Sequence, residues 1–128
     1  MNNNFTVPFT NGDAGEPGCW IDGHWGQYGA DRLIAIALNE GWILSTTRNT
    51  AIADCALGRL DDIGTRGEAF ESAVAKAGLT EEDVYGYIID LADEAEEYLN
   101  TLVPDTHAFG WHDGEFFLWP VETWQEDE

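Results

Sequence analysis

The chain has 128 residues, 44% of them hydrophobic, with six tryptophans and a formal net charge of −20 at pH 7. This length and aromatic content predict one folded domain, residues 1–128, and exclude a disordered acidic tail, which would be poor in aromatic residues. The charge excludes nucleic acid and anionic membranes as direct partners, because binding either needs clusters of Lys and Arg. The partner classes that remain are basic proteins, cationic peptides and metal cations.

The beginning of the chain carries no basic segment followed by an apolar one, and no apolar run is long enough to span a bilayer. These patterns predict a cytoplasmic protein. The two cysteines, Cys19 and Cys55, are too few for a disulfide framework, and we expect both to be reduced.

The first half of the chain predicts two helices. Residues 1–18 are rich in Asn, Gly and Pro and indicate a loosely ordered lead-in, and residues 19–25 a short strand or tight turn. Apolar residues at helical spacing predict a first helix over 27–40, capped by Gly41. Residues 42–44 favour a short strand. A second helix is expected over 50–60, with its core face formed by Ile52, Cys55, Ala56 and Leu60.

Two start signals predict the next helices. Thr65 and Glu68 have the spacing of a capping box, which predicts a third helix ending at Gly78. Thr80, with Asp83 three residues later, predicts the start of a fourth helix over 81–102. The expected buried stripe of this fourth helix is Val84, Ile88, Leu91, Ala95, Leu99 and Leu102.

The last segment changes character. Aromatic runs flank Asp113-Gly114, a pair that tolerates the positive φ angles of a type I′ turn, and they predict a β-hairpin. Residues 125–128 indicate a frayed acidic tail. The predicted fold is therefore α+β: three to four helices packed with a C-terminal hairpin, joined by one further short strand from the region of Trp20 or Trp42.

Most of the negative charge lies in the second half of the chain, which contains the fourth helix. Residues 67–128 contain 17 acidic residues and one base, Lys76. The predicted helix carries Glu81, Glu82, Asp83, Asp90, Asp93, Glu94, Glu96 and Glu97 and no base. Carboxylates at a helix start are favoured by the dipole, whereas like charges three or four residues apart cost roughly 0.2–0.5 kcal/mol per pair. The line carries about one charge per 3 Å of helix axis, close to the value of about 3.4 Å for one DNA strand.

This charge pattern resembles the phage-encoded DNA-mimic proteins that block restriction enzymes or CRISPR effectors. The likeness covers residues 67–128 at the level of a class. The segments 18–28 and 110–117 are also similar to parts of small uncharacterised phage proteins. The resemblance implies a non-enzymatic inhibitor in the cytoplasm of a host bacterium, which binds the basic nucleic-acid-binding surface of another protein. The expected contact residues are Asp83, Asp90, Asp93, Glu94, Glu96 and Glu97, with the aromatic Trp119 near the acidic terminus.

Two other functions fit the same composition. Acidic, lysine-poor chains are typical of salt-adapted proteins, in which the charge serves solubility. A phage structural or assembly accessory protein is the other alternative.

Metal binding and catalysis have weaker signals. Cys19 with His24, and His107 with His112, would supply four zinc ligands if the two segments lay side by side. The alternative is that these histidines cap turns or pack against tryptophans. A thiol paired with a histidine is a conceivable nucleophile, but the helical spacing favours a buried structural Cys55. Because no phosphate loop, dinucleotide fingerprint or hydrolase motif is present, we expect neither an enzyme nor a cofactor.

Overall fold

The computed structural model describes residues 7–8, 14–15, 18–63, 67–103 and 107–126. Within these ranges the fold is α+β, as predicted, and mostly helical, with five α-helices and a three-stranded antiparallel sheet. Two further strands of two residues each, β1 (Val7–Pro8) and β2 (Ala14–Gly15), pair antiparallel within the predicted lead-in. The lead-in therefore contains local structure that its composition did not indicate.

The first helix, α1 (Gly29–Asn39), follows a 3₁₀ helix over Gly23–Tyr28. It starts two residues later than predicted because the preceding turn is wound as 3₁₀. Gly41 has φ 96 and stands just past the helix end, where a left-handed residue is favoured. The predicted strand over 42–44 is wrong: these residues form no strand, and the ring of Trp42 stacks on Tyr98 at 6.1 Å.

The second helix, α2 (Thr47–Asp61), begins three residues before the predicted start. The side chain of Thr46 accepts a hydrogen bond from the backbone N–H of Asn49 (3.0 Å) and caps the helix. Ile52, Cys55 and Ala56 are buried as predicted, whereas Leu60 is only half-buried.

The third helix, α3 (Glu68–Ala77), ends at Gly78 (φ 73) as predicted. Its N-cap is Gly67, and Thr65, the first residue of the predicted capping box, lies outside the described residues. The carboxylate of Asp62 accepts hydrogen bonds from the backbone N–H groups of Ala69 (3.1 Å) and Phe70 (2.8 Å). The residue that caps the C-terminus of α2 therefore also bonds to the first turn of α3.

The fourth helix, α4 (Glu81–Thr101), has the predicted start. The Thr80 hydroxyl accepts a hydrogen bond from the backbone N–H of Asp83 (3.2 Å). The predicted stripe is buried from Val84 to Leu99, and Leu102 at its end is half-buried. This stripe packs against α1 and α2, so the opposite side of α4 lies on the surface.

The C-terminal hairpin is confirmed. Strands β4 (His107–His112) and β5 (Glu115–Pro120) are joined by Asp113 (φ 53) and Gly114 (φ 80), the left-handed pair that a type I′ turn requires. The region of Trp20 supplies the further strand, β3 (Gly18–Ile21), which pairs with β5 and gives the order β3-β5-β4.

A short helix that was not predicted, α5 (Val121–Glu126), follows β5. Gln125 and Glu126 are therefore helical, contrary to the expected frayed tail, and residues 127–128 lie outside the described residues. The core lies between the helices and one face of the sheet. Phe116 and Leu118 of β5 point into it, and the rings of Phe109 and Phe116 stack at 5.3 Å.

Candidate partner-binding surface

The surface of α4 that faces away from the core carries most of the carboxylates of this helix. At about 100° per residue, the acidic residues from Asp90 to Glu97 fall on the side opposite the buried stripe. Five of the six predicted contact carboxylates are exposed. We call these five the acidic ridge: Asp83, Asp90, Asp93, Glu94 and Glu97.

The sixth predicted carboxylate, Glu96, lies at the edge of the ridge and is half-buried. Burial raises the pKa of its carboxyl group, and repulsion from Asp93 and Glu97 raises the pKa further. Ionised Glu96 is therefore disfavoured by the charge around it. The like-charge repulsion predicted from the sequence acts at this end of the helix.

A base from a neighbouring helix lies beside the ridge. The guanidinium group of Arg48, on α2, stands 4.1 Å from the ring centroid of Tyr87 on α4. Together with Asp90 and Glu94, these residues line a shallow cleft between the two helices. The sequence showed that α4 has no base of its own, but it did not show that Arg48 packs against its flank. The Asp93 and Glu97 side of the ridge has no such neighbour among the described cations.

Trp119 does not belong to this surface. Successive residues of a strand point to opposite faces of the sheet. Since Phe116 and Leu118 face the helices, Phe117 and Trp119 lie on the outer face. The structure therefore separates Trp119 from the acidic ridge, although the sequence analysis grouped them.

The outer face carries an aromatic cluster around Trp119. Its ring stacks on Phe117 at 4.1 Å and contacts Trp124 at 4.7 Å and His112 at 5.6 Å. Trp124, on α5, lies over Gly110 and donates a hydrogen bond from Nε1 to the carbonyl of Ala108 (2.9 Å). A Cβ at residue 110 would lie 3.0 Å from the Trp124 ring, so glycine is what allows α5 to lie this close to β4.

The predicted zinc ligands are not brought together. His107 and His112 are the two ends of β4, so they lie about 17 Å apart and on opposite faces. Cys19 is on β3, across the central strand β5, and the side chain of His24 lies outside the described residues. In the part of the chain that the structure describes, no three His, Cys, Asp or Glu residues form a group suited to a metal ion.

The surroundings of both thiols favour the protonated form. Cys19 is exposed, but neighbouring atoms displace part of the water around its thiol, and this loss of hydration, followed by the charges of Glu115 and Asp22, raises its pKa. Burial, followed by the charge of Asp54, raises the pKa of Cys55, which is buried as predicted. Because the thiolate is the reactive form, these environments disfavour nucleophilic chemistry at either cysteine.

Three residues that the sequence analysis did not single out also lie on the exposed side of α4. Tyr85 and Ile89 are exposed apolar side chains, and Gly86 stands between them. A signal was available in the sequence, because both apolar residues fall off the i, i+4 stripe that predicted the buried face.

None of the described helices combines the length and apolar character that crossing a bilayer requires.

The chain matches no protein-family model, no curated protein and no solved structure.

Proposed function

We propose that the chain is a phage-type acidic inhibitor that works without catalysis, as a DNA mimic. Its partner would be a host defence or nucleic-acid-handling protein in the bacterial cytoplasm, bound through the basic surface that otherwise holds nucleic acid. The observation that carries the proposal is the acidic ridge, whose five carboxylates are all exposed on one face of a single helix that supplies no base.

A rigid helix is a suitable support for such a mimic. The carboxylates of the ridge are fixed relative to one another by α4, which is packed along its length on α1 and α2. Complementary charge speeds the encounter and sets specificity more than it sets affinity. Binding should therefore weaken, and its association rate should fall, as salt screens the ridge.

The test is competition with DNA. Purified restriction endonucleases and CRISPR effectors are each mixed with a fluorescent DNA duplex, and displacement of the duplex by this protein is measured by anisotropy at low and moderate salt. Two variants are compared at equal net charge. The ridge variant carries Asp90→Asn, Asp93→Asn, Glu94→Gln and Glu97→Gln. The control variant removes four exposed carboxylates of α2 and α3: Asp54→Asn, Asp61→Asn, Glu68→Gln and Glu71→Gln.

A DNA mimic acting through α4 loses its competition in the ridge variant and keeps it in the control variant. Equal losses in both variants would mean that net charge alone acts. If the protein displaces DNA from none of these targets, the DNA-mimic proposal loses its support.

One observation favours the salt-adapted alternative. Exposed carboxylates also occur on α2 and α3, at Asp54, Asp61, Glu68 and Glu71, so the acidity is not confined to the ridge. In a protein whose charge serves only solubility, the two variants behave alike in every assay.

The assembly-accessory alternative is favoured by a different surface. The aromatic cluster of Phe117, Trp119 and Trp124 stands on the outer sheet face, opposite the core, where α5 packs. Capture of capsid or tail proteins, abolished by Trp119→Ala and unaffected in the ridge variant, would support that function instead.

A further inference from the structure

The exposed side of α4 is not uniformly charged. Ile89 is 58% exposed and Tyr85, one helical turn before it, is 43% exposed. Only three other large hydrophobic side chains are exposed in the described residues, and none of them is on α4. Two exposed apolar side chains four residues apart form a continuous strip along a helix. The acidic ridge is therefore accompanied by an apolar strip.

Gly86 adds an indentation to this strip. It lies inside α4, where glycine is less favourable than alanine by roughly 0.5–1 kcal/mol. A Cβ at this position would meet no atom within 4 Å, so packing within the described residues does not require a glycine. Its effect is to leave the helix backbone uncovered beside Ile89, where another chain can approach closely.

Tyr85 is held in place from behind. Its ring stacks on Phe70 of α3 at 5.7 Å, and the guanidinium group of Arg59 lies 4.8 Å from its centroid. A side chain that is already fixed loses little conformational entropy when a partner covers it. Tyr85 thus has the properties of a binding anchor, namely an aromatic ring that is partly exposed and rigid.

Carboxylates surround these three residues. Glu82 lies one turn before Tyr85, Asp90 one turn after Gly86 and Asp93 one turn after Ile89, and all three are exposed. An occupant of this surface must present an apolar strip of similar length with cations beside it. A second copy of this chain does not fit, since a symmetric contact would place carboxylates against carboxylates.

We infer that the strip of Tyr85, Gly86 and Ile89 receives a basic amphipathic helix of the partner, with apolar side chains on the strip and Lys or Arg beside Glu82, Asp90 and Asp93. This inference rests on the proposed function and narrows it. Proteins that read DNA by placing a helix in the major groove present a helix that carries Arg and Lys among its contact residues. The partner is accordingly expected to use a recognition helix rather than an extended arginine-rich tail.

The probe is a pair of synthetic peptides of about 20 residues with identical composition and charge. One places Leu on a single helical face flanked by Arg and Lys, and the other is a scrambled isomer that cannot form an amphipathic helix. Affinities are measured by titration calorimetry at about 0.15 M and about 0.5 M salt, where screening differs strongly. The protein variants are Ile89→Ser and, as a matched control on an exposed residue outside α4, Ile43→Ser. Thermal melting confirms that each variant is folded.

The amphipathic peptide should bind about tenfold more tightly than its isomer, the size of effect expected for one well-placed apolar anchor. Ile89→Ser should remove most of this preference without changing the salt dependence, and Ile43→Ser should leave the preference intact. Equal binding of the two peptides, or a preference that survives Ile89→Ser, would overturn the inference while leaving the mimic in place. Failure of the proposed function has a different signature: each peptide then binds the ridge variant as tightly as it binds the α2/α3 control variant.

Discussion

Asp31 and Arg59 form a buried ion pair where the 3₁₀ helix and the helices α1, α2, α3 and α4 meet. Arg59 Nε lies 3.6 Å from Asp31 Oδ2, the Asp31 side chain is fully buried and that of Arg59 is 14% exposed. The guanidinium group also lies over the rings of Tyr28, Phe70 and Tyr85, at 5.0, 5.8 and 4.8 Å. Burial raises the pKa of Asp31 to about 6, because the attraction of Arg59 offsets only part of the loss of hydration.

Asp31→Asn should flatten the dependence of stability on pH. The folded state holds the Asp31 proton up to a pH of about 6, whereas an unfolded aspartate releases it near about 3.9. The stability that protonated Asp31 contributes is therefore fully present below the lower pH and is lost as pH rises through this window. Above the window the contribution no longer changes with pH. We expect the variant to gain on the order of 1–2 kcal/mol at pH 7 relative to the wild type. Thermal melts across the window measure this change.

The matched control for this prediction is Asp54→Asn, on an exposed carboxylate of α2. It should leave the pH profile of the wild type unchanged. A smaller slope persists in Asp31→Asn because the pKa of Glu96 is raised as well. If Asp31→Asn instead lowers stability at every pH, the three aromatic rings do not compensate for the loss of the carboxylate beside the Arg59 guanidinium group.

Arg59→Gln should destabilise the fold by about 3 kcal/mol at neutral pH, since it leaves a buried carboxylate without its cation. The loss should shrink in mild acid, where Asp31 takes up its proton. Chemical denaturation of the two single variants and of the double variant Asp31→Asn, Arg59→Gln forms a cycle that isolates the pair. The double variant should be more stable than the sum of the two single changes predicts, because it no longer contains an unpaired buried carboxylate. Strictly additive changes would show that Arg59 stabilises the fold through its aromatic contacts only.

Two interior helix glycines should respond to alanine in opposite directions. Gly86→Ala should stabilise the protein by about 0.5–1 kcal/mol, because the added Cβ meets open space and alanine is the better helix former. Gly58→Ala should destabilise it by about 1–3 kcal/mol. Its Cβ would lie 3.0 Å from the carbonyl oxygen of Ala69 and 3.1 Å from the backbone nitrogen of Phe70, where backbone atoms cannot move aside cheaply. Urea denaturation measures the free energy of unfolding of both variants. A change in the same direction for both would contradict this prediction.

Features set by neighbouring residues were predictable from the sequence. The start of α4 follows from Thr80 and Asp83, its buried face from apolar spacing, and the hairpin turn from Asp113-Gly114. Each depends on interactions within a few residues. The acidic ridge was predicted for the same reason, because on a helix the buried stripe also fixes the exposed side.

Features set by contacts between distant segments were not predictable. The carboxylate of Asp62 accepts hydrogen bonds from amides in the first turn of α3, seven and eight residues further along the chain, and no local pattern indicated this contact. The position of Trp119 depended on which face of β5 meets the helices, and strand alternation alone leaves that choice open. Asp31 resembles any acid in the first turn of a helix until Arg59 and its rings are placed around it.

Added salt should raise the melting temperature. Repulsion among the acidic side chains of α4 weakens as the screening length falls from about 10 Å at 0.1 M salt towards about 3 Å at 1 M. The ridge variant has fewer like-charge pairs on α4, so it should start from a higher melting temperature and gain less from salt than the control variant. Differential scanning calorimetry in a salt series measures both quantities. A requirement for about molar salt before any folding would favour salt adaptation, and a wild type insensitive to salt would contradict the repulsion itself.

Adjacent residues of α4 should give opposite results when their charge is changed. Leu91 is 2% exposed, so Leu91→Asp places a carboxylate without a partner in the core and should abolish cooperative thermal melting. Asp90→Asn with Asp93→Asn removes two exposed charges and should keep or raise the melting temperature, since repulsion with Glu94 and Glu97 is relieved. Circular dichroism melts of the two variants at one salt concentration make the comparison. Near-native melting of Leu91→Asp would mean that α4 presents a different face to the core, and the acidic ridge would then lose its exposed position as well.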